Sequence, residues 1–293
     1  MASLKEIRTR ISSVKTTRQV TSAMKMVSAA KLKKAQDAIL QIRPYADKLH
    51  EILSSLSSSL ENSEDSVYTQ QRKPEKVLLV LISSNRGLCG AFNSSIAKMA
   101  YEVATTRYRD QLMAGNLEFL IIGKQGEKFL KLKRMPVAAQ ANDLLETLTF
   151  EQTSELASRL MNDFAEHRFD RVELVYNEFK NAAVQICTAE QFLPVEISQE
   201  DEDDTASFDF IYEPSKQEIV QELIPRSLKI QFYRALLDSN AAEQGARMTA
   251  MHKATDNATD LIKDLTLTFN KARQAAITNE ILEVTNGAEA LNG

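Results

Sequence analysis

Glycine and proline are scarce at both ends of this chain of 293 residues. Residues 1–43 and 45–73 contain neither, and residues 226–286 contain only Gly245. Because glycine and proline are the residues that most strongly interrupt helices, their absence predicts two very long helices on either side of an ordinary globular middle. A helix of about 55 residues extends roughly 80 Å, more than a small domain can cover, so we expect the two ends to protrude together as a shaft.

Other absences narrow the class of protein. There is no Trp, aromatic residues make up 6%, and no apolar run reaches the roughly 20 residues that span a bilayer, so any link to a membrane is expected to be indirect. The two cysteines, Cys89 and Cys187, lie far apart, as in a protein of a reducing compartment. Residues 7–36 carry eight Lys or Arg and no acid. This resembles a mitochondrial transit peptide in composition, but the helical pattern continues past it without a processing boundary.

Apolar residues at alternating steps of three and four predict that the terminal helices form a coiled coil. In the N-terminal helix the pattern thins after Val14, resumes at Met24 and Val27, and is strict from Ile39 onward. The C-terminal positions are Met248, Met251, Thr255, Ala258, Ile262, Leu265, Phe269, Ala272 and Ala276. One helix leads into the middle and the other leads out, so the pair should be antiparallel. Pro44 and Pro225 should kink or break the pattern, leaving a short helix at 215–224 before the long one.

The middle alternates strands and helices, which predicts an α/β domain with helices on both faces of a sheet. Strands are expected at 76–83, 117–123 and 171–179, with later or edge strands at 184–193 and 208–212, and an acidic loop at 199–204. Helices are expected at 94–113, 124–132 and 150–167. The predicted domains are therefore a helix at 1–60, a linker at 61–74, an α/β domain at 75–214 and a helix at 215–293.

The turn after the first strand, residues 83–93, is the place where α/β proteins bind phosphate. Its glycines follow a Gly-x-x-Gly pattern, which is neither the dinucleotide fingerprint nor a P-loop, so a structural turn is favoured. Cys89 in this turn is a candidate nucleophile, but no histidine is placed to serve it as a base. No residues have metal-ligand spacing. The basic N-terminal helix lacks the interleaved aromatics of nucleic-acid binders, and is better explained as a solvated face or one matched to an acidic partner.

Motifs at both ends and in the middle resemble the gamma subunit of rotary F-type ATP synthases. They cover the whole chain in order, and the C-terminal block is the most specific. The matching segments are 7–14, 21–27, 43–45, 86–93, 212–214, 246–251, 254–258 and 270–278.

The resemblance implies a Rossmann-like central domain and a coiled coil that forms the central stalk inside three alpha and three beta subunits. The domain would sit on the membrane rotor ring beside the epsilon subunit. Catalysis would take place on the beta subunits, so no catalytic residue, cofactor or metal is expected here. Carried over by motif, Arg273 and Gln274 would contact a beta subunit, with Met24 near the same zone. Phe210, Tyr212 and Glu213 would lie at the foot near the rotor ring.

The resemblance also implies a peripheral protein with no nucleic-acid partner. The lack of a clear organelle presequence favours a bacterial protein on the cytoplasmic face of the inner membrane. Two other hypotheses make different predictions. An α/β nucleotide-binding enzyme that dimerises through helical arms would require nucleotide binding by the chain alone. A nucleic-acid clamp would require affinity that falls steeply with salt.

Overall fold

The computed structural model describes residues 4–57, 67–195 and 216–292. The helices are α1 Leu4–Ser57, α2 Phe92–Thr106, α3 Arg109–Met113, α4 Lys124–Leu132, α5 Phe150–Ala165 and α6 Lys216–Asn292. The strands are β1 Val77–Ile82, β2 Leu117–Ile122, β3 Val137–Gln140, β4 Arg171–Phe179 and β5 Gln185–Leu193. A 3-10 turn, Asn142–Leu145, follows β3.

Packing divides the chain into two units. The first contains the described residues up to Ser28 together with those from Met248 onward, and the second is Ala29–Arg247. The first unit therefore consists of segments of α1 and α6 alone, whereas the second holds the whole sheet, α2–α5 and the remaining parts of α1 and α6.

The five-stranded sheet has the order β3-β2-β1-β4-β5. β1 pairs in parallel with both β2 and β4, β2 pairs in parallel with β3, and β5 closes the far edge antiparallel to β4. Every residue of β1 is buried, as expected for a central parallel strand that is covered on both faces. The α/β prediction and the edge position of β5 are confirmed.

Alternate residues of the strands feed two separate cores. One face packs against α5 and against the 224–236 segment of α6, and its fully buried large side chains include Phe164, Phe192 and Phe232. The opposite face packs against α2 and α4, through Ile96 and Leu130 among others. The helix α6 thus supplies one wall of the domain core as well as a partner for α1.

Neither proline interrupts its helix, so the predicted short helix at 215–224 is wrong. Pro44 lies inside α1 and Pro225 inside α6. The side chain of Pro44 is exposed while Ile42 and Ala46 beside it are half-buried. A carbonyl that loses its helical partner on the exposed face can still bond water, so the packed face continues.

The predicted helix at 94–113 is two helices, because the chain turns at Arg107 and Tyr108. Tyr108 is buried and its hydroxyl donates to the carboxylate of Glu173 in β4, while Arg107 Nη1 lies 3.0 Å from the same carboxylate. β3 was not predicted, because it is short, mostly exposed and follows Pro136. The predicted strand at 208–212 and loop at 199–204 lie outside the described residues.

Candidate functional site

Within the first unit, α1 and α6 run antiparallel. The hydroxyls of Thr21 and Thr255 lie 2.8 Å apart, and Lys25 Nζ lies 3.4 Å from His252 Nδ1. Residue numbers rise along α1 between these two contacts and fall along α6, which fixes the direction. The predicted antiparallel pairing is confirmed in this unit.

The seam of α1 continues through polar residues where the sequence suggested a gap. Steps of four and three from Ile7 lead through Thr21 and Ser28, both of which are buried. Val27, which the apolar pattern assigned to the seam, is 56% exposed. Thr21 Oγ1 can donate to the carbonyl of Arg18 within its own helix, so a hydroxyl is satisfied in this seam.

The structure separates the residues that the resemblance assigned to beta contacts. Met24 is half-buried beside the Lys25–His252 contact, whereas Arg273 and Gln274 are exposed. Arg273 follows His252 by 21 residues, which corresponds to about 30 Å along a helix. Met24 and Arg273 therefore lie far apart along the helix pair, whereas the resemblance implied that they would lie near the same zone. Phe210, Tyr212 and Glu213 lie outside the described residues.

The end of α6 extends past the part that pairs with the described residues of α1. Every residue from Arg273 to Ala288 is exposed, and this segment carries Ile277, Ile281 and Val284 at helical spacing. Ala276, which the heptad placed in the seam, is exposed for the same reason. By the register of the contacts above, residues near 272 lie opposite Leu4, the first described residue of α1.

The second unit contains the turn between β1 and α2. Two residues of this turn adopt left-handed backbone conformations, Leu88 with φ 62° and Gly90 with φ 61°. Cys89 between them is 1% exposed, and its sulfur accepts a hydrogen bond from Asn93 Nδ2 at 3.1 Å. Burial raises the pKa of the Cys89 thiol, while the nearby Arg247 acts in the opposite direction. A buried, protonated thiol is a poor nucleophile, so the structure argues against catalysis at Cys89.

The carboxyl ends of the strands, where α/β sheets bind ligands, are filled by side chains of the domain itself. Ser83 Oγ accepts from the Gly126 N–H at 2.9 Å, Asn85 Oδ1 accepts from the Lys124 N–H at 3.1 Å, and Asn142 Oδ1 accepts from the Gly123 N–H at 2.8 Å. These are the donors that a phosphate at the start of α4 would need.

Gly123 makes this close approach possible. Its φ is +109°, and a Cβ at this position would lie 2.5 Å from the carbonyl oxygen of Ser83. The Gln125 N–H donates to the carbonyl of Ser84 at 3.0 Å, so the N–H groups of residues 123–126 are all bonded within the domain and α4 is fastened to the end of β1.

Sequence reasoning missed the role of Arg247, which connects α6 to the β1–α2 turn. Its Nη2 donates to the carbonyl oxygens of Arg86 at 3.1 Å and Gly87 at 3.4 Å. Its Nη1 lies 2.6 Å from Glu243 Oε1 and also donates to Gln244 Oε1 at 3.4 Å. The only signal in the sequence is a Glu and an Arg four residues apart among small residues, which is too common to assign a role.

A second polar cluster surrounds Asp238 of α6, which is buried. Arg234 Nε is 3.9 Å from its carboxylate. Burial raises the pKa of Asp238 to about 6; the carboxylates of Glu178 in β4 and Glu190 in β5 add to the rise, and Arg234 and Arg43 oppose it. The charged form of Asp238 is therefore disfavoured in the folded chain.

In the ranges 4–57, 67–195 and 216–292, His, Cys, Asp and Glu side chains do not gather into a group of three that could hold a metal ion. Among the helices of these ranges, none has both the length and the apolar character needed to cross a membrane.

Comparison with known proteins gives matches along the whole chain. The family model described as ATP synthase matches residues 3–291. An ATP synthase gamma chain of Flavobacterium johnsoniae is 55% identical over 294 residues, and one of Christiangramia forsetii is 53% identical over 293 residues; each match covers 100% of both chains.

Solved structures agree on the fold. A chain from the central stalk and c-ring of the Tetrahymena thermophila mitochondrial ATP synthase is 25% identical, with a TM-score of 0.57, and the match covers 80% of this chain and 99% of that one. A chain from the Euglena gracilis mitochondrial ATP synthase is 22% identical, with a TM-score of 0.71 over 98% of this chain and 94% of that one.

Proposed function

Because the chain belongs to the ATP synthase gamma-chain family, we propose that it is the noncatalytic rotor subunit of an F-type ATP synthase. It couples ion flow through a membrane rotor ring to ATP synthesis and hydrolysis on the beta subunits. The observation that carries this proposal is the antiparallel helix pair with its contacts at Thr21–Thr255 and Lys25–His252. The filled phosphate edge of the sheet supports a noncatalytic role.

The proposed partners are three alpha and three beta subunits around the helix pair, with the epsilon subunit and the rotor ring at the foot. The solved chains at the central stalk, rotor and c-ring of other ATP synthases have the same fold. Since the curated relatives named above are bacterial, we propose that this subunit lies at the cytoplasmic face of the inner membrane, as a peripheral protein.

The mechanism follows from asymmetry. A pair of unlike helices presents a different surface in each direction, so three identical beta subunits meet three different surfaces. A partner shifts a conformational equilibrium only through its differential contact energy with the two states. Because this coupling is reciprocal, rotation of the pair changes nucleotide affinity, and nucleotide hydrolysis turns the pair.

Arg273 and Gln274 are the proposed contacts to a beta subunit, since both are exposed past the paired part of α6. A guanidinium beside an amide can donate several hydrogen bonds to a carboxylate or a backbone loop. Met24 is proposed as a separate contact, about 30 Å from these two along the helix pair. Phe210, Tyr212 and Glu213 are proposed at the rotor ring.

The test is reconstitution with alpha and beta subunits. Coexpression should give a stoichiometric complex that hydrolyses ATP, and failure to form one would reject the proposal. Replacing Arg273 and Gln274 with Ala should slow ATP turnover while the complex still assembles. The matched control replaces Gln221 and Arg226, an exposed pair of the same two residue types on α6, and should leave turnover unchanged. Equal turnover in both variants would remove Arg273 and Gln274 from the coupling role.

A further inference from the structure

Arg247 makes directional contacts across the interface between α6 and the β1–α2 turn. Its guanidinium is held on one side by Glu243 and Gln244 of α6. On the other side it donates to the carbonyl oxygens of Arg86 and Gly87. The side chains of Arg247 and Glu243 are 10% and 13% exposed, so this is an almost completely buried ion pair that is bonded to backbone.

The contact is surrounded by apolar packing. Cys89 and Phe92 of the turn and of α2 pack against Ala242 and Ala246 of α6, with Phe179 at the edge. Apolar contact is non-directional, so on its own it would let the two surfaces slide. A planar guanidinium that bonds two carbonyls fixes both position and angle.

The turn passes this restraint on to the sheet. The carbonyl of Arg86, which accepts from Arg247, also accepts from Ser84 Oγ at 2.7 Å. The Ser84 N–H donates to Asn93 Oδ1 of α2 at 3.0 Å, and Ser84 Oγ accepts from Asn93 Nδ2 at 2.8 Å. A continuous set of hydrogen bonds therefore runs from α6 through Arg247 to the end of β1 and the first turn of α2.

We propose that Arg247, held by Glu243, is a positioning residue that locks the β1–α2 turn to α6, so that a twisting load on this helix reaches the sheet. This inference rests on the proposed rotor function. Without the lock, α6 would slip against the turn under load, and hydrolysis would continue while less of its energy drove ions across the membrane.

The test compares Arg247→Lys and Arg247→Met in the complete ATP synthase in sealed vesicles. We measure ATP hydrolysis and the ions pumped per ATP hydrolysed. The ratio should fall several-fold in Arg247→Met. It should fall less in Arg247→Lys, which keeps the charge beside Glu243 but cannot bond both carbonyls. The control Arg226→Met removes an exposed cation of α6, at 3.8 Å from Glu222, and should leave the ratio unchanged.

A merely structural role would reduce hydrolysis and pumping in proportion, so an unchanged ratio in Arg247→Met would overturn the proposal. Should that variant fail to assemble, Arg247→Lys provides the same comparison. Hydrogen exchange in the full-length chain separates the lock from the rotor function. The amides of residues 87–90 should exchange roughly tenfold faster in Arg247→Lys than in the parent chain, since hydrogen bonds from a charged donor contribute on that order. Unchanged exchange there would overturn the lock even if the complex proved to be a rotary ATPase.

Discussion

Replacing Asp238 with Asn should stabilise the folded chain at neutral and alkaline pH. Asp238 is buried between α6 and the β4–β5 pair, near two other carboxylates. One of these, Glu190, is already engaged, because Tyr176 Oη and Gln231 Nε2 donate to its two oxygens at 2.8 Å and 2.6 Å. Charge on Asp238 is therefore placed where negative charge is already concentrated and water is scarce.

The magnitude follows from the pKa of Asp238, which rises from 3.8 to about 6 on folding. Each pKa unit corresponds to about 1.36 kcal/mol, so ionised Asp238 costs the folded state about 3 kcal/mol. A carboxyl with a raised pKa in the folded chain favours folding at low pH, and this contribution is lost as the pH rises from about 4 through about 6. Asn cannot ionise, but its amide still needs partners. We expect Asp238→Asn to raise the free energy of unfolding by about 2 kcal/mol at pH 8 and by about 1 kcal/mol at pH 5.

The assay is urea unfolding of the full-length chain at both pH values. The control is Asp260→Asn, which removes an exposed carboxylate 3.1 Å from Lys263 on the same helix. Exposed ion pairs contribute about 0–1 kcal/mol to stability. Because Asp260 is exposed, this variant should lose only a small part of the free energy of unfolding. A gain of equal size at pH 5 and pH 8, or a loss at pH 8, would refute the argument that burial of the charge is costly.

Two further predictions concern the carboxyl end of the sheet. Gly123→Ala should destabilise the chain by about 2 kcal/mol or more in urea unfolding, because the residue has φ +109° and no room for a Cβ. The control is Gly87→Ala, because no atom lies within 4 Å of a Cβ placed there. Equal effects of the two substitutions would contradict the close approach at Gly123. Cys89 should resist an aromatic disulfide reagent in the folded chain and react in urea, whereas the half-buried Cys187 should react first; fast labelling of Cys89 under native conditions would show that the turn opens.

Much of the fold was predictable because buried segments leave recognisable apolar patterns in the sequence. The uninterrupted apolar run of β1 identified a strand covered on both faces, and β2 and β4 followed from similar runs. The long helices followed from the scarcity of glycine and proline. A short and exposed strand such as β3 buries too little to leave a pattern, and was missed for that reason.

The seam near Thr21 and Ser28 was missed for a different reason. Counting apolar residues treats Thr and Ser as breaks, yet both are small enough to pack, and the Thr hydroxyls find hydrogen-bond partners in the seam. One of the Thr21 and Thr255 hydroxyls donates to the other at 2.8 Å, and the second donates to a carbonyl of its own helix, that of Arg18 for Thr21 or that of Met251 for Thr255. A search that admits Ser and Thr would have found an unbroken step of seven through Ile7, Val14, Thr21, Ser28 and Ala35, although Arg18 and Lys25 still interrupt the positions between them.

Contacts between polar groups far apart in sequence were beyond such patterns. Nothing periodic links Glu173 to Tyr108, or Arg247 to the carbonyls of Arg86 and Gly87. These contacts depend on the fold already being in place, because each joins elements that only the sheet brings together. The resemblance to a known family identified the segments that contain Arg247 and Arg86 but not the bond between them.

Several of these contacts lie at the edge of the sheet where open α/β domains commonly bind ligands. In open α/β sheets the ligand lies outside the carboxyl ends of the strands, where backbone donors at helix N-termini are free. Here Ser83 and Asn85 occupy the donors of α4, and the next two carbonyls of the chain are bonded to α6 through Arg247. At this edge the chain's own side chains and carbonyls bond to α4 and α6. These bonds join both helices to the end of β1, which supports the proposed role of the domain in carrying load between helices.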